Sequence, residues 1–521
     1  MKRNHIKTAV AAFALLLTGA AFAPAYGQNM WDAYLFSQQT NEGSARSVAM
    51  GNAFVALGGD MGAISINPAS SGVYTYNEFI FTGGVTSANS HADYLGNSLS
   101  DGKTRFGVPN FGFVSTFNTG RRSSGLISWN LALAFNKTNN FTSRMSASGT
   151  STESSYLQSM AQGLGGIHAT NLDMNSYNDP FFGSGASWKS ILAWNTSLLD
   201  TLPDSGSDYY AATENLNGYN IVLGGPVRQY YTSEKTGSIS EAVINFGGNI
   251  SNKFYFGVNL GIVNVWYNYN EFYSESAIDS RNFNSGFENF TMQYRQKTTG
   301  TGVNLKAGII YLPVRGLRIG ASISTPTWLY LTDEWEERVT SSFNDGYSQD
   351  LLSPLGKYDY RLNTPFRWNV GVAYTIGKIA VISADYESIN YSQMKLADYD
   401  YPGYFAEENA AISSSFATAD IFRAGAEVRL APEFAVRAGY QYYNEGYKFD
   451  SSTTQIGSLG IGYSGRRGFF IDAAYLQKLK RTSETFTLYD DIVYSDSVVA
   501  APSGTNRYTN WKLLVSIGIR F

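Results

Sequence analysis

The last residues of the chain, WKLLVSIGIRF, alternate strictly. Trp511, Leu513, Val515, Ile517, Ile519 and Phe521 fall on one side, and Lys512, Leu514, Ser516, Gly518 and Arg520 on the other. A period of two with one apolar and one polar or small side predicts a β-strand between two different environments. The pattern recurs. Phe254, Phe256, Val258, Leu260 and Ile262 oppose Gly257, Asn259 and Gly261. Trp368, Val370, Val372 and Tyr374 oppose Asn369, Gly371 and Thr375. Phe422, Ala424, Ala426 and Val428 oppose Arg423, Gly425, Glu427 and Arg429, and Phe434, Val436, Ala438 and Tyr440 oppose Arg437, Gly439 and Gln441. The apolar sides carry no charge, the other sides carry charge and glycine, and aromatics gather at strand ends. A Lys or Arg facing lipid at mid-depth costs about 2–4 kcal/mol, so this segregation favours a membrane barrel over a soluble sandwich.

The spacing predicts about fourteen strands, over 78–86, 106–118, 125–138, 236–250, 252–272, 287–312, 316–333, 358–376, 379–392, 417–430, 433–447, 453–464, 467–487 and 505–521. Short connections alternate with long ones, as expected of a barrel with periplasmic turns and external loops, both termini being periplasmic. An open sheet edge in hydrocarbon leaves backbone groups unpaired, so the last strand must pair with the first. The expected fold is therefore all-β, a transmembrane antiparallel barrel over 78–521 with a long external loop at 139–235. Residues 28–77 do not alternate and are rich in small residues, which suits a periplasmic tail or a plug. A lumen of this strand number is wide enough to hold a plug.

The first residues read as an address. Lys2, Arg3 and Lys7 precede the apolar run Ala9–Leu17 and then the small-residue stretch AAFAPAYGQ. This is the pattern of a secretory signal peptide, 1–27, with cleavage after Gly27 leaving Gln28 first. No later stretch approaches the ~20 apolar residues of a membrane helix.

Composition narrows the chemistry. The 521 residues include no cysteine, so disulfides and thiolate sites are excluded. Lys plus Arg number 38 against 42 acids, which leaves no basic footprint for nucleic acid. His5 lies in the signal peptide and His91 and His168 in predicted loops, away from any strand that would hold a catalytic base rigidly. No G-x-S-x-G elbow occurs, and Gly460–Gly465 matches G-x-G-x-x-G without a following helix. Neither an enzyme nor a cofactor is expected. The acidic groups Asp333, Glu334, Glu336, Glu337 and Asp490, Asp491 suit solvated loops better than Ca²⁺ sites.

The leading segment carries a further signal. Gly43-Ser44-Ala45-Arg46, Met50-Gly51-Asn52-Ala53-Phe54-Val55-Ala56, Asp60 and Asn67-Pro68-Ala69 resemble the N-terminal hatch of the FadL-type outer-membrane transporters. Many members follow Asn-Pro-Ala with Gly-Leu, where this chain has Ser70-Ser71-Gly72-Val73. The resemblance implies a hatch inside the lumen over 28–77 and passive uptake of hydrophobic small molecules, long-chain fatty acids or aromatic hydrocarbons, with lateral release through the wall. It also implies hatch or gate roles for Arg46, Gly51, Asn67, Pro68 and Ala69. The alternative is a surface-binding barrel, an adhesin or haem-binding receptor. A lipid hydrolase is disfavoured by the missing histidine base.

Two further groups are candidates. Phe181, Phe182, Trp188, Ile191, Leu192 and Trp194 concentrate apolar surface in the long loop, with helical spacing at Trp188, Ile191 and Leu192. They suit an external groove that captures ligand, or a loop packed on itself. Arg423, Arg429 and Arg437 on the lumen side suit contacts to a ligand head group, or pairing with Glu427, Asp385, Glu387 and Asp472. Expected partners are the hydrophobic ligand, outer-membrane lipid or detergent, and the barrel-assembly machinery reading the strand that ends in Phe521. A monomer is expected.

Overall fold

The computed structural model describes residues 28–175, 179–217, 220–449, 452–479, 483–493 and 497–521. The expected signal peptide lies outside the described residues. Fourteen wall strands follow in order. They are β1 (Glu78–Tyr94), β2 (Asn97–Asn118), β3 (Leu126–Asn140, continued by Ser143–Ser151), β4 (Val227–Ile250), β5 (Phe254–Ala277), β6 (Phe287–Tyr311) and β7 (Leu317–Ser324, then Trp328–Phe343). There follow β8 (Gly356–Asn363, then Arg367–Ile376), β9 (Ala380–Asn390), β10 (Thr418–Arg429), β11 (Phe434–Asn444), β12 (Thr453–Ser464), β13 (Phe469–Lys478) and β14 (Ser503–Arg520). Each pairs antiparallel with its sequence neighbours, and β1 pairs with β14 along its whole length, from Glu78 opposite Arg520 to Tyr94 opposite Gly504. The cylinder closes through this seam, so neither the first nor the last strand is left as a free sheet edge. Among the described residues no helix is long and apolar enough to cross a membrane.

The alternation read in the sequence is the alternation of lipid and lumen. Val258, Leu260 and Ile262 are exposed outward, whereas Asn259 is buried inside. Outward aromatics form two rings: Phe117, Phe246, Phe434 and Tyr463 toward the short-turn end, and Trp266, Trp328 and Trp368 toward the other. On β5 the ten-residue step from Phe256 to Trp266 spans about 25 Å at the usual rise and tilt, the height of an apolar membrane band. A closed antiparallel wall with an outward apolar band is the architecture of a membrane-spanning barrel.

Beyond the upper ring the strands run on, and there the sequence understates them. Residues 87–105, left between two predicted strands, complete β1 and β2 and meet in a turn at Leu95 and Gly96, both with positive φ. On β1 the face opposite Ala88, Ala92 and Tyr94 carries Ser87, Asn89, His91 and Asp93, so no lipid-facing apolar period marks the extension. Residues 143–151 and 227–235, assigned to the long loop, are likewise strand.

The described residues of the insert 152–226 form a lobe with its own apolar core. Leu157, Leu164, Leu172, Trp188, Ile191, Leu192 and Leu198 pack there against Phe287, Phe290, Trp335 and Val339 from the strand extensions. Its longer helices are α3 (Tyr156–Gly163), capped by Ser155, and α4 (Trp188–Asn195), capped by Ser187, with one further turn of helix at Pro180–Gly183.

Candidate transport site

Residues 28–77 lie inside the cylinder. They form α1 (Met30–Ser37), α2 (Ala45–Ala49) and two 3₁₀ turns, Ala63–Ser65 and Pro68–Val73. Helices this short have little stability alone, and their partners are the wall. Ala45 N–H donates to Ser516 Oγ at 2.8 Å, Val55 N–H to Asp385 Oδ2 at 2.8 Å, and Arg46 Nε to Glu427 at 2.9 Å. In return, Ser458 Oγ donates to Ala49 O at 3.1 Å, Asn259 Nδ2 to Ile64 O at 2.8 Å, Lys306 Nζ to Ser65 O at 3.1 Å and Ser322 Oγ to Ile66 O at 2.8 Å. These bonds come from strands around most of the circumference.

Asn67-Pro68-Ala69 is the tightest contact. Asn67 is extended, as the residue before proline must be, and its Oδ1 accepts from Ala69 N–H at 3.0 Å. Its Nδ2 donates to Val55 O within the hatch at 2.6 Å and to Ile309 O of β6 at 3.2 Å. Asn245 Nδ2 of β4 donates to Pro68 O at 3.0 Å. The motif ties two parts of the hatch to two wall strands, with Asn67, Pro68 and Ala69 all buried.

The wall meets the hatch with glycines, which the sequence showed only as small residues on the lumen side. A Cβ at Gly308 would stand 1.9 Å from Asn67 Oδ1, at Gly257 2.2 Å from Pro68 O, at Gly320 2.1 Å from Val55 O and at Gly425 2.3 Å from Met50 O. Gly257 lies opposite both Gly247 and Gly308, Gly320 opposite Gly371, and Gly425 opposite Gly439, so they form a belt at one level of the lumen. The absent side chains let two backbones approach closely. Gly51 in the hatch has φ +63°, and its own Cβ would stand 2.9 Å from the Tyr440 nitrogen. Position 51 is restricted to glycine on both counts.

Charge is buried in pairs. Arg437 donates to Glu427 at 2.8 Å and to Asp472 at 2.6 Å, Arg423 bonds Glu387, and Arg367 reaches Glu387 at 3.2 Å. Arg423 and Arg437 therefore have carboxylate partners within the wall, whereas Arg429 is exposed at the short-turn mouth. Burial opposes the charge of Arg46, but Glu427 and Asp60 outweigh it and hold the guanidinium firmly protonated. Burial likewise pushes the Asp60 carboxyl up, against the pull of Arg46 and of the Ser44 hydroxyl bonded to it at 2.7 Å.

The loop candidates are brought together, but inward. Trp188, Ile191 and Leu192 are core of the lobe, and Phe181 is buried against Trp188. Trp194 is partly covered and donates to Asp173 at 2.8 Å, and only Phe182 is well exposed. They do not form an open groove here, because a lobe of this length satisfies its apolar residues by packing them together.

The hatch divides the lumen. On the lobe side a cavity of about 320 Å³ is lined by Tyr34, Val48, Tyr391, Ile421, Tyr443, Ile456 and Leu476, with Arg423 and Lys512 among its polar groups. On the short-turn side a cavity of about 520 Å³ is lined by Arg46, Arg318, Arg429, Arg437 and Arg520 with Glu427, Glu433 and Asp472. A third, of about 250 Å³, lies in the wall itself, lined by Phe106, Gly107, Pro109, Lys137, Gly237 and Trp266. It shares Glu42, Thr86, Asn140, Thr142 and Leu514 with the first.

The wall cavity has a local cause. The β2–β3 ladder stops at Asn110 opposite Asn136. Above it Pro109 offers no N–H, β2 shifts register against β1, and β3 bulges against β4 between Lys137 and Asn139. Higher still, the seam is bridged by side chains, with Arg144 Nε donating to Asp101 at 2.9 Å. A proline inside a predicted strand was the available signal for this break. Since Lys137 pairs with Ser240 and Ser240 with Asn264, the gap opens just below the level of Trp266, at the upper margin of the apolar band.

These features define a plugged membrane barrel whose wall ladder is interrupted between β2 and β3. No family model matches the chain, and no curated protein matches it. Solved structures do. The Pseudomonas putida toluene transporter TodX superposes with a TM-score of 0.51 at 13% identity, over 93% of this chain and 100% of that one. A deletion mutant of the TodX monoaromatic hydrocarbon channel gives 0.53 at 14%, over 92% and 99%. A Pseudomonas aeruginosa FadL homologue gives 0.51 at 11%, over 93% and 98%. The chain has the fold of the FadL-type hydrophobic-compound transporters.

Proposed function

We propose that the chain is an outer-membrane channel for passive uptake of hydrophobic small molecules, fatty acids or aromatic hydrocarbons. On this reading the signal peptide 1–27 is removed on export, the short turns and both termini face the periplasm, and the lobe faces outward. The final strand, ending in Phe521, is read by the barrel-assembly machinery. Ligand enters beneath the lobe, occupies the cavity beside Tyr34, Tyr391 and Tyr443, and leaves sideways through the β2–β3 gap. The hatch, anchored by Asn67-Pro68-Ala69, gates the passage and bars the axial route to the arginine-lined cavity below. The observation that carries this is the shared lining of the lumen and wall cavities, which gives an apolar solute a path avoiding the polar periplasmic mouth. Structures of similar fold described as a toluene transporter and a monoaromatic hydrocarbon channel support the ligand class.

The test is uptake of labelled oleate and labelled toluene into a host lacking its own carriers. Saturable uptake above the empty host is expected for at least one. A Gly107→Trp variant, whose side chain projects into the gap, should reduce it at least tenfold. Background uptake of both compounds by the wild-type protein would refute the transport reading, and undiminished uptake by Gly107→Trp would refute the lateral route.

A further inference from the structure

The short-turn end of the barrel is basic. Its six turns, 119–125, 251–253, 312–316, 377–379, 430–433 and 465–468, carry seven Lys or Arg between them and one acid, Glu433, in a chain whose net charge is −4. This rim surrounds the mouth of the cavity of about 520 Å³ below the hatch. Within and around that cavity each carboxylate already has partners. Glu427 and Asp472 are bonded by Arg46 and Arg437, Glu78 by Arg520 at 2.8 Å, and Glu433 faces Arg466 at 3.9 Å. Asp60 on the hatch accepts from Ser44 Oγ at 2.7 Å and from Gly62 N–H at 2.8 Å. Three cations are left over. Arg318, Lys378 and Arg429 line the cavity, and among the described residues no carboxylate lies within ion-pair distance of any of them. Arg318, half-buried, gives one N–H to Leu57 O of the hatch, and a guanidinium has five. It projects inward from β7 in phase with Gly320, as Arg429 does from β10 in phase with Glu427. At about 4.8 Å per strand their backbones stand about 14 Å apart around the wall, and side chains pointing into a cylinder converge. Lys378, in the β8–β9 turn, lies between them.

We propose that this cavity binds a small water-soluble polyanion bearing phosphate or carboxylate groups, held between Arg318 and Arg429 with Lys378 at the mouth, and that its occupancy fixes the hatch to the wall. Charges exposed to water are screened beyond about 8 Å at physiological salt, but a recess with low-dielectric walls focuses the field of its own cations and of the rim. A chloride ion meets one guanidinium at a time. A compound with two or more oxyanion groups spans the space between them and accepts the parallel N–H bonds that the planar fork offers. The volume is that of a small-molecule site, and Leu57, Val73, Ile379 and Phe434 give its carbon frame apolar contacts. The site faces the opposite side of the hatch from the cavity beside Tyr34, Tyr391 and Tyr443 and takes the opposite chemistry, so it does not depend on the transport reading. One side of it is hatch, with Arg46, Leu57, Gly58 and Gly59, and the other is barrel wall. An anion that binds only when both sides are in place favours the seated hatch by mass action.

The test is isothermal titration of the purified protein, in neutral detergent and about 0.15 M chloride, with sodium pyrophosphate and with sodium citrate. One saturable site per barrel is expected for at least one of the two. Arg429→Gln should weaken it about tenfold or more, the usual worth of a charge-assisted hydrogen bond. Arg429 has no carboxylate partner to abandon, so this variant folds as the wild type does and remains decisive if Arg318→Gln, which also loses the bond to Leu57 O, does not fold. Where Arg318→Gln folds, it should weaken binding to a similar degree. Arg121→Gln, on the rim in the 119–125 turn, should change affinity about twofold or less. In parallel, proteolysis of residues 28–77 should slow about tenfold or more at saturating anion and not in sodium chloride of equal ionic strength. Heats no greater than those of sodium chloride, or equal affinities of the wild type and Arg429→Gln, would overturn the site. A loss in Arg121→Gln as large as in Arg429→Gln would show diffuse attraction to the rim and would overturn it too. Unchanged hatch cleavage at saturation would overturn the tie between hatch and wall.

Discussion

Replacing Gly308 by alanine adds one methyl group to the barrel and should unseat the hatch. The new Cβ would stand 1.9 Å from Asn67 Oδ1 and 3.1 Å from Pro68 Cδ. Ordinary contact begins near 3.4 Å, so the Asn-Pro-Ala turn must retreat by about 1.5 Å. Wall strands paired on both sides will not yield that much. A retreat of this size breaks the Asn67 bond to Ile309 O and strains the Asn245 bond to Pro68 O. Each buried polar group left unsatisfied costs about 1–3 kcal/mol, so the docked hatch loses about 2–5 kcal/mol. At 1.4 kcal/mol per decade the unseated population rises by a factor of about 30 to several thousand. The barrel keeps its ladder and should retain its strand spectrum and mobility on gels. Purified protein in planar bilayers is the assay, with limited proteolysis of residues 28–77 alongside. Wild type should show few openings, and Gly308→Ala frequent ones with faster hatch cleavage. Gly163→Ala, where the added Cβ meets open space, is the control and should change neither. Wild-type conductance and protease resistance in a folded Gly308→Ala barrel would refute the close-packed seat.

Other perturbations test neighbouring parts. The Asp32 carboxyl in α1 is pushed up to about 8 by burial and by nearby Asp333. A carboxyl raised in the folded state costs stability as pH rises from about 4 through about 8, so Asp32→Asn should raise the unfolding midpoint at pH 8 and change nothing at pH 4; equal effects at both would contradict the burial argument. Arg437→Leu removes the partner of Asp472 and one of two partners of Glu427, and should destabilise by about 3–5 kcal/mol in urea titrations of detergent-solubilised protein; a neutral result would mean water already screens the pair. Trp188→Ala opens the lobe core at a cost of about 3–5 kcal/mol and should speed proteolysis within 152–226 while leaving barrel mobility unchanged.

The wall was legible wherever one face meets lipid. Val258, Leu260 and Ile262 against Gly257, Asn259 and Gly261 declare both strand and orientation, and the fourteen strands follow from such runs. Where strands leave the membrane the lipid-facing apolar run ends, which hid the outer half of the β1–β2 hairpin, whose β1 face there carries Ser87, Asn89, His91 and Asp93. The helical spacing of Trp188, Ile191 and Leu192 correctly marked a helix, but spacing does not say whether its apolar side meets solvent, a ligand or its own lobe. Arg423 and Arg437 were visible as lumen charges, yet their pairing with Glu387, Glu427 and Asp472 depends on strand register. The glycine belt was least legible. Gly257 and Gly308 matter because Pro68 and Asn67 rest on them, a contact between segments about 190 and 240 residues apart that no local period encodes.

The most direct test sets hydrophobic uptake against ion flow in the same protein. Liposomes carrying the purified chain are loaded with a fluorescent fatty-acid binder, and conductance is recorded in bilayers of the same lipid. A plugged barrel that delivers ligand sideways predicts transfer of oleate or toluene well above protein-free vesicles, with conductance far below that of a variant lacking residues 28–73. Transfer that appears only together with a sustained current approaching that of the hatchless variant would mean passage down the axis, and would contradict the account.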